Sequence, residues 1–215
     1  MRIIAGSKKG MRLLSPKGNE TRPITDRVKE SRFNILYRND RLEDTVAADL
    51  FCGTGSMGLE ALSRGAKWVT FIDGSRGVVE ILNENIAKAG FLAESKSVCA
   101  NILRVGAAPT PEYGLYDLVF CDPPYEMSRN CGPGTKVGKL MEMIDSQVKA
   151  GAMVVLRTHL QSLVEDRYGT LEAVDKREWG NMKIAFFEKK SEEKKSAIEN
   201  GAALIDAAEL TDFDY

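Results

Sequence analysis

From residue 46 onward, short apolar runs alternate with segments whose apolar positions recur every three or four residues. Residues 46–51 read as a strand and 56–64 as a helix ended by Gly65. Residues 68–72 read as a strand and 76–89 as a helix ended by Gly90. A short strand at 96–100, a strong one at 116–121, a helix at 139–148 and a strand at 152–156 follow. A helix or turn around 161–168 and two late strands, 171–174 and 183–188, complete the pattern. Strands separated by helices imply a parallel arrangement, because parallel neighbours need long crossovers. The predicted class is α/β: a mostly parallel seven-stranded sheet with helices on both faces. In such sheets ligands sit beyond the carboxyl ends of the strands, so the motifs there carry most weight.

Upstream, residues 1–18 read as a short β-hairpin. Residues 1–5 and 11–14 form its arms, 6–10 its turn, and Pro16 and Gly18 close it. Residues 25–37 have helical spacing, with Thr25 as the N-cap and Val28, Phe33, Ile35 and Leu36 as apolar positions.

The chain has 215 residues, 43% apolar and 28% charged, enough for one domain with a real core. No apolar run approaches the ~20 residues of a membrane span, and the N-terminus lacks a signal-peptide stretch. Membrane residence and secretion are disfavoured; a cytoplasmic monomer is expected. Cys52, Cys99, Cys121 and Cys131 show no C-x-x-C spacing, and His159 is the single histidine. A zinc site and a histidine-dependent nucleophile are therefore both disfavoured, and no metal is expected. His159 reads as a surface or loop residue.

The net charge of -1 hides a gradient. Residues 1–41 carry eleven Lys/Arg against four acids, whereas residues 188–215 carry four lysines against eight acids. Three regions are expected: a basic 1–41 facing a polyanion, a central 42–188 domain, and an acidic 189–215 extension, helical or disordered. A merely solvated basic face explains the charge equally well.

The first decisive strand end is Asp49-Leu50-Phe51-Cys52-Gly53-Thr54-Gly55-Ser56-Met57-Gly58. It holds a G-x-G-x-x-G at Gly53, Gly55 and Gly58, with Asp73 ending the next strand twenty residues past Gly53. Asp73 can accept both hydroxyls of a ribose. Asp49 separates the cofactor classes. A carboxylate in a pyrophosphate-binding turn is unfavourable, whereas one beside the ammonium of S-adenosylmethionine is attractive. Asp49 can instead serve as a turn residue bonding local amides.

The second is Asp122-Pro123-Pro124-Tyr125, after the apolar strand 117–121. Two prolines remove two amide donors. Asp122 and the Pro123 carbonyl can accept the two hydrogens of a base's exocyclic amine, and Tyr125 can stack on the ring. Such bonds favour a pyramidal nitrogen whose lone pair faces a sulfonium methyl, so in-line displacement needs no strong base. An isolated tetrapeptide of this kind is equally a rigid turn.

Together these residues resemble the class I S-adenosylmethionine-dependent methyltransferases of the amino-methylating branch. They are most similar to the bacterial small-subunit (16S) ribosomal RNA guanine-N2 methyltransferases. Arg2-Ile3-Ile4-Ala5-Gly6 with Lys9-Gly10, residues 21–30 (Thr-Arg-Pro-Ile-Thr-Asp-Arg-Val-Lys-Glu) and Phe33-Asn34-Ile35-Leu36 carry the likeness. So do both strand-end motifs, the run 58–66 (Gly-Leu-Glu-Ala-Leu-Ser-Arg-Gly-Ala) and Trp179-Gly180. The likeness covers about residues 1–188. It implies the Rossmann-like class I methyltransferase fold and methyl transfer to a guanine N2 in small-subunit ribosomal RNA, free or in an assembled particle.

The resemblance places cofactor binding at Asp49, Phe51, Gly53, Gly55, Asp73, Asn101, Thr25 and Arg27, and the target amine at Asp122, Pro123, Pro124 and Tyr125. RNA contacts are expected from Arg2, Lys8, Lys9 and Arg22, and from Arg129 and Lys136 in the glycine-rich stretch 126–139. Three departures stand out. Asn101 stands where relatives often have an acid near the adenine, Arg157 where they commonly have Glu, and residues 189–215 have no counterpart. Adenine N6 methylation of DNA or RNA, and a non-catalytic nucleic-acid-binding module on the same fold, are the alternative functions.

Overall fold

A computed structural model describes residues 1–16, 26–38 and 42–191. Thr25, Arg22 and the extension beyond residue 191 lie outside the described residues. Helices α1 (Asp26–Arg38), α2 (Ser56–Ser63), α3 (Arg76–Ala89), α4 (Ile102–Val105) and α5 (Lys136–Gln147) surround one sheet. Its strands are β1 (Val46–Leu50), β2 (Trp68–Asp73), β3 (Ser95–Cys99), β4 (Tyr116–Cys121), β5 (Val148–His159), β6 (Arg167–Tyr168), β7 (Leu171–Trp179) and β8 (Met182–Lys189).

The sheet order is β3-β2-β1-β4-β5-β8-β7-β6. The first five strands run parallel, as the strand–helix alternation predicts. The last three are antiparallel, so the sheet is mixed and has eight strands rather than seven. The reason is local. Gly169 and Gly180, both at positive φ, turn the chain back within two residues, too short for a crossover helix. The extra strand, β6, lies in the stretch read as a helix or turn.

Alternation along the strands splits the core into two layers. Ala47, Phe71, Leu118, Phe120, Met153 and Val155 face α1, α2 and α3. Ala48, Leu50, Val119, Cys121, Val154 and Leu156 face α4 and α5. Helix α2 is buried from Met57 through Ser63, because the N-terminal segment covers its outer side.

That segment folds back on itself through a short antiparallel pairing of its two arms rather than through two full strands. One antiparallel bridge joins Arg2 to Arg12, the Ile3 and Leu13 amides donate across it to the Met11 and Met1 carbonyls, and the Gly10 amide donates to the Ile3 carbonyl, while the amides of Ile4, Ala5, Ser7 and Lys8 turn to α2. Ile4 and Ala5 amides donate to Glu60 at 2.7 and 3.0 Å, and Ser7 and Lys8 amides donate to Ser63. Glu60 is fully buried and also pairs with Lys29 (3.1 Å) and Arg64 (2.8 Å). Ile3 and Leu13 thereby enter the same core as α1.

Candidate active site at the carboxyl ends of β1 and β4

The strand order reverses between β1 and β4, and this is the crevice where such sheets bind ligands. Leu50 and Cys121 are register partners, and the Asp122 amide donates to the Leu50 carbonyl at 3.3 Å. Both motifs therefore leave the sheet side by side.

The β1 loop is shaped by steric necessity. Gly55 has φ +87°, and a Cβ there would lie 2.5 Å from Leu82. A Cβ on Gly58 would lie 2.3 Å from the Phe71 ring, so only glycine lets α2 sit this close to β2. Phe51 also adopts φ +56°, a conformation that costs a side-chain-bearing residue free energy.

Asp49 is 1% exposed and accepts the Gly58 amide at 2.8 Å. Burial pushes its carboxyl up to about 8; the Gly58 amide and the Arg32 cation pull the other way. Its second oxygen accepts from no described donor, so the local-turn role and room for a cation coexist. Asp73 accepts the Gly53 amide through one oxygen and the Ser75 amide through the other, both at 2.9 Å. Each oxygen keeps a lone pair.

A cavity of about 430 Å3 opens between these loops, lined by Phe51, Asp73, Gly74, Asn101, Ile102 and Met127. Asn101 reaches it by capping α4: its side-chain oxygen accepts the Leu103 amide at 3.0 Å. That bond fixes which way the amide points, so Asn101 serves the helix as well as the cavity wall. Arg27 is exposed on α1 and is not among the lining residues.

At the end of β4, Pro123 is buried and its carbonyl accepts no hydrogen bond from a described residue. The Pro124 carbonyl takes the Met127 and Ser128 amides at 2.9 and 3.1 Å. Of the two proline carbonyls, only the first is open to a ligand. Asp122 is paired with Arg157 of β5. The Tyr125 ring meets the His159 ring edge-on at 5.5 Å, and the Arg157 guanidinium lies 5.5 Å from its centroid.

Arg32 of α1 is fully buried; its Nη1 touches Met57 sulfur at 3.7 Å, and Nε and Nη2 have no partner among the described residues. Burial lowers its pKa to about 10, and Asp122 and Asp49 are the acids that oppose this.

The basic residues are spread over the surface. Arg2 pairs with Asp26 at 2.7 Å, Lys8 lies over the Phe91 ring, and Lys9 is exposed. Arg129 and Lys136 are exposed near α5. The glycine-rich stretch is more fastened than its composition suggests. The Cys131 amide donates to the Leu163 carbonyl, Thr135 caps α5, and Gly138 abuts the Gly132 carbonyl.

Sequence reasoning passed over Arg32 and the edge-on contact of His159 with Tyr125. The signal for Arg32 was a cation at a core position: Val28, Arg32, Phe33 and Leu36 share one helical face. The signal for His159 was its place at a parallel strand's carboxyl end, next to β4.

This geometry defines a class I methyltransferase, the class that uses S-adenosylmethionine, and the donor set fits that molecule. Asp73 suits ribose hydroxyls, Asp49 an ammonium, and the apolar wall of the cavity an adenine. More narrowly, the chain belongs to the Conserved hypothetical protein 95 family, whose profile matches residues 1–188. It is 31% identical over 194 residues to YlbH of Bacillus subtilis, provisionally named an rRNA methyltransferase, covering 88% of this chain and all of that protein. It is 38% identical over 127 residues to Ribosomal RNA small subunit methyltransferase D of Escherichia coli, covering 58% of this chain and 60% of that one. The solved structure of Escherichia coli yhhF, provisionally a methyltransferase, superposes with a TM-score of 0.74 at 26% identity, covering 89% of this chain and 99% of that one.

Proposed function

We propose that this chain transfers a methyl group to the exocyclic N2 amine of a guanine in small-subunit ribosomal RNA. The observation that carries the reading is the pairing of open acceptors at the end of β4, beside the β1 loop. Asp122 Oδ2 and the Pro123 carbonyl accept from no described residue, so two amine hydrogens can meet two acceptors. S-adenosylmethionine, when bound, supplies an electrophilic methyl on a cationic sulfur. Asp122 and the Pro123 carbonyl orient the amine and stabilise the positive charge that grows on nitrogen; each preorganised acceptor is worth about 3 kcal/mol. Tyr125 offers its face to the base. Asp49, Phe51, Gly53, Gly55, Asp73 and Asn101 hold the cofactor, with Thr25 and Arg27 closing over it.

The basic region 1–41, with Arg2, Lys8, Lys9 and Arg22, contacts phosphates together with Arg129 and Lys136. The substrate is free RNA or an assembled particle, and the enzyme works as a cytoplasmic monomer. Among the described residues no helix is long and apolar enough to cross a membrane. The test is incubation with labelled S-adenosylmethionine and small ribosomal subunits, then nucleoside analysis. N2-methylguanosine is expected; N6-methyladenosine would move the reaction to adenine, and no label in any subunit or precursor would overturn the proposal.

A further inference from the structure

Asp122 is not presented to a ligand alone. Arg157 Nε donates to Asp122 Oδ1, and the guanidinium lies against Tyr125. Side-chain exposure is 15% for Arg157 and 14% for Asp122, so the pair is largely withdrawn from water. The bond uses one carboxylate oxygen and one of three guanidinium nitrogens. Asp122 Oδ2 and both Nη groups of Arg157 bond no described residue. An acceptor and a fork of charged donors therefore stand together at the target end of the site.

The ligand edge that complements this pair is a donor beside an acceptor: an amine and a bare ring nitrogen on the same carbon, an amidine edge. Guanine offers its N2 amine two neighbours, N1–H, a donor, and N3, an acceptor. With N1–H toward Arg157, donor faces donor and a largely buried group loses its hydration without a partner. With N3 toward Arg157, the base gains a charge-assisted hydrogen bond.

We infer that the Asp122–Arg157 pair is a specificity determinant that reads the amidine edge of the target base, so that guanine enters with N3, not N1–H, toward Arg157. This rests on the guanine-N2 reading above and adds the face by which the base is recognised. Arg32 places a second cation on the core side of the site, so a variant lacking Arg157 does not leave Asp122 without a counter-charge.

The experiment compares guanine, 3-deazaguanine and 1-methylguanine at the position that nucleoside mapping identifies, in a small-subunit RNA fragment or reconstituted subunit. The kcat/KM for methylation is measured for wild type and Arg157→Met. Wild type should lose about 10- to 100-fold on 3-deazaguanine and accept 1-methylguanine nearly as well as guanine. Arg157→Met should be less active on guanine yet nearly indifferent to the N3 deletion. Equal losses in both proteins, no loss in wild type, or rejection of 1-methylguanine would overturn the inference. Should Arg157→Met fail to fold, the two wild-type comparisons decide alone. If wild type methylates adenine N6 instead, the guanine reading fails by itself. The edge inference is then judged by 1-deazaadenine, which removes the acceptor beside that amine.

Discussion

Replacing Glu60 by Leu should unfasten the N-terminal segment from the rest of the molecule. The carboxylate accepts two backbone amides, from Ile4 and Ala5, and pairs with Lys29 and Arg64. Hydrogen bonds to a charged group contribute about 1.5–3 kcal/mol each, so the two amides account for roughly 3–6 kcal/mol. Lys29 is 2% exposed, and stranding a buried cation costs about 3–5 kcal/mol. The two costs overlap, because Lys29 keeps its bond to the Arg2 carbonyl wherever the segment stays docked and gains water wherever it lifts. A net loss of about 4–6 kcal/mol follows, a large part of the roughly 5–15 kcal/mol typical of a domain. Urea unfolding followed by fluorescence reads this directly. Lys29→Met in the Glu60→Leu background should recover about 1–3 kcal/mol, because it removes the stranded charge. A Glu60→Leu protein within about 1 kcal/mol of wild type, or a double variant no better than the single, would refute the account of Glu60 as the hub.

Asp122→Ala should cut methyl transfer by about 100-fold or more while leaving cofactor affinity intact; lost affinity in isothermal titration would contradict its placement at the amine. The Asp49 carboxyl, ordinarily near 3.8, sits at about 8 in the folded protein, so the folded state holds a proton that the unfolded state releases between those values. Stability should therefore fall as pH rises from about 4 to 8, and Asp49→Asn should flatten that decline in urea titrations at several pH values. Gly58→Ala forces a Cβ into Phe71 and should cost about 1–3 kcal/mol, seen as a melting temperature several degrees lower. Reversing Lys8 and Lys9 to Glu should weaken RNA binding and reduce its salt dependence; an unchanged slope would remove them from the interface.

Both strand-end motifs were legible because each depends on residue types with a local physical meaning. The glycines were readable from their spacing, and the structure supplies the Leu82 and Phe71 contacts that require them. The strand 116–121 and the helix 76–89 follow their periodicity closely. The antiparallel edge was harder to read, since hairpin turns at Gly169 and Gly180 look like any short loop. How the N-terminal segment is anchored was not readable, because the amide partners that hold it lie more than fifty residues away, on Glu60 and Ser63. Long-range partners of this kind leave no trace in local pattern. The same holds for Arg157, whose position on β5 says nothing of Asp122 until β4 and β5 are paired.

The placement of β8 between β5 and β7 bears on how the molecule is made. The last strand to be synthesised among the described residues is an interior one, so a nascent chain that stops before Met182 displays the naked edge of β5, with Val154, Val155 and Leu156 among its residues. Such an edge invites pairing with another incomplete chain. Chains halted before that point should therefore clump rather than persist as smaller working enzymes, and the ribosome must deliver Met182–Lys189 before the sheet can close.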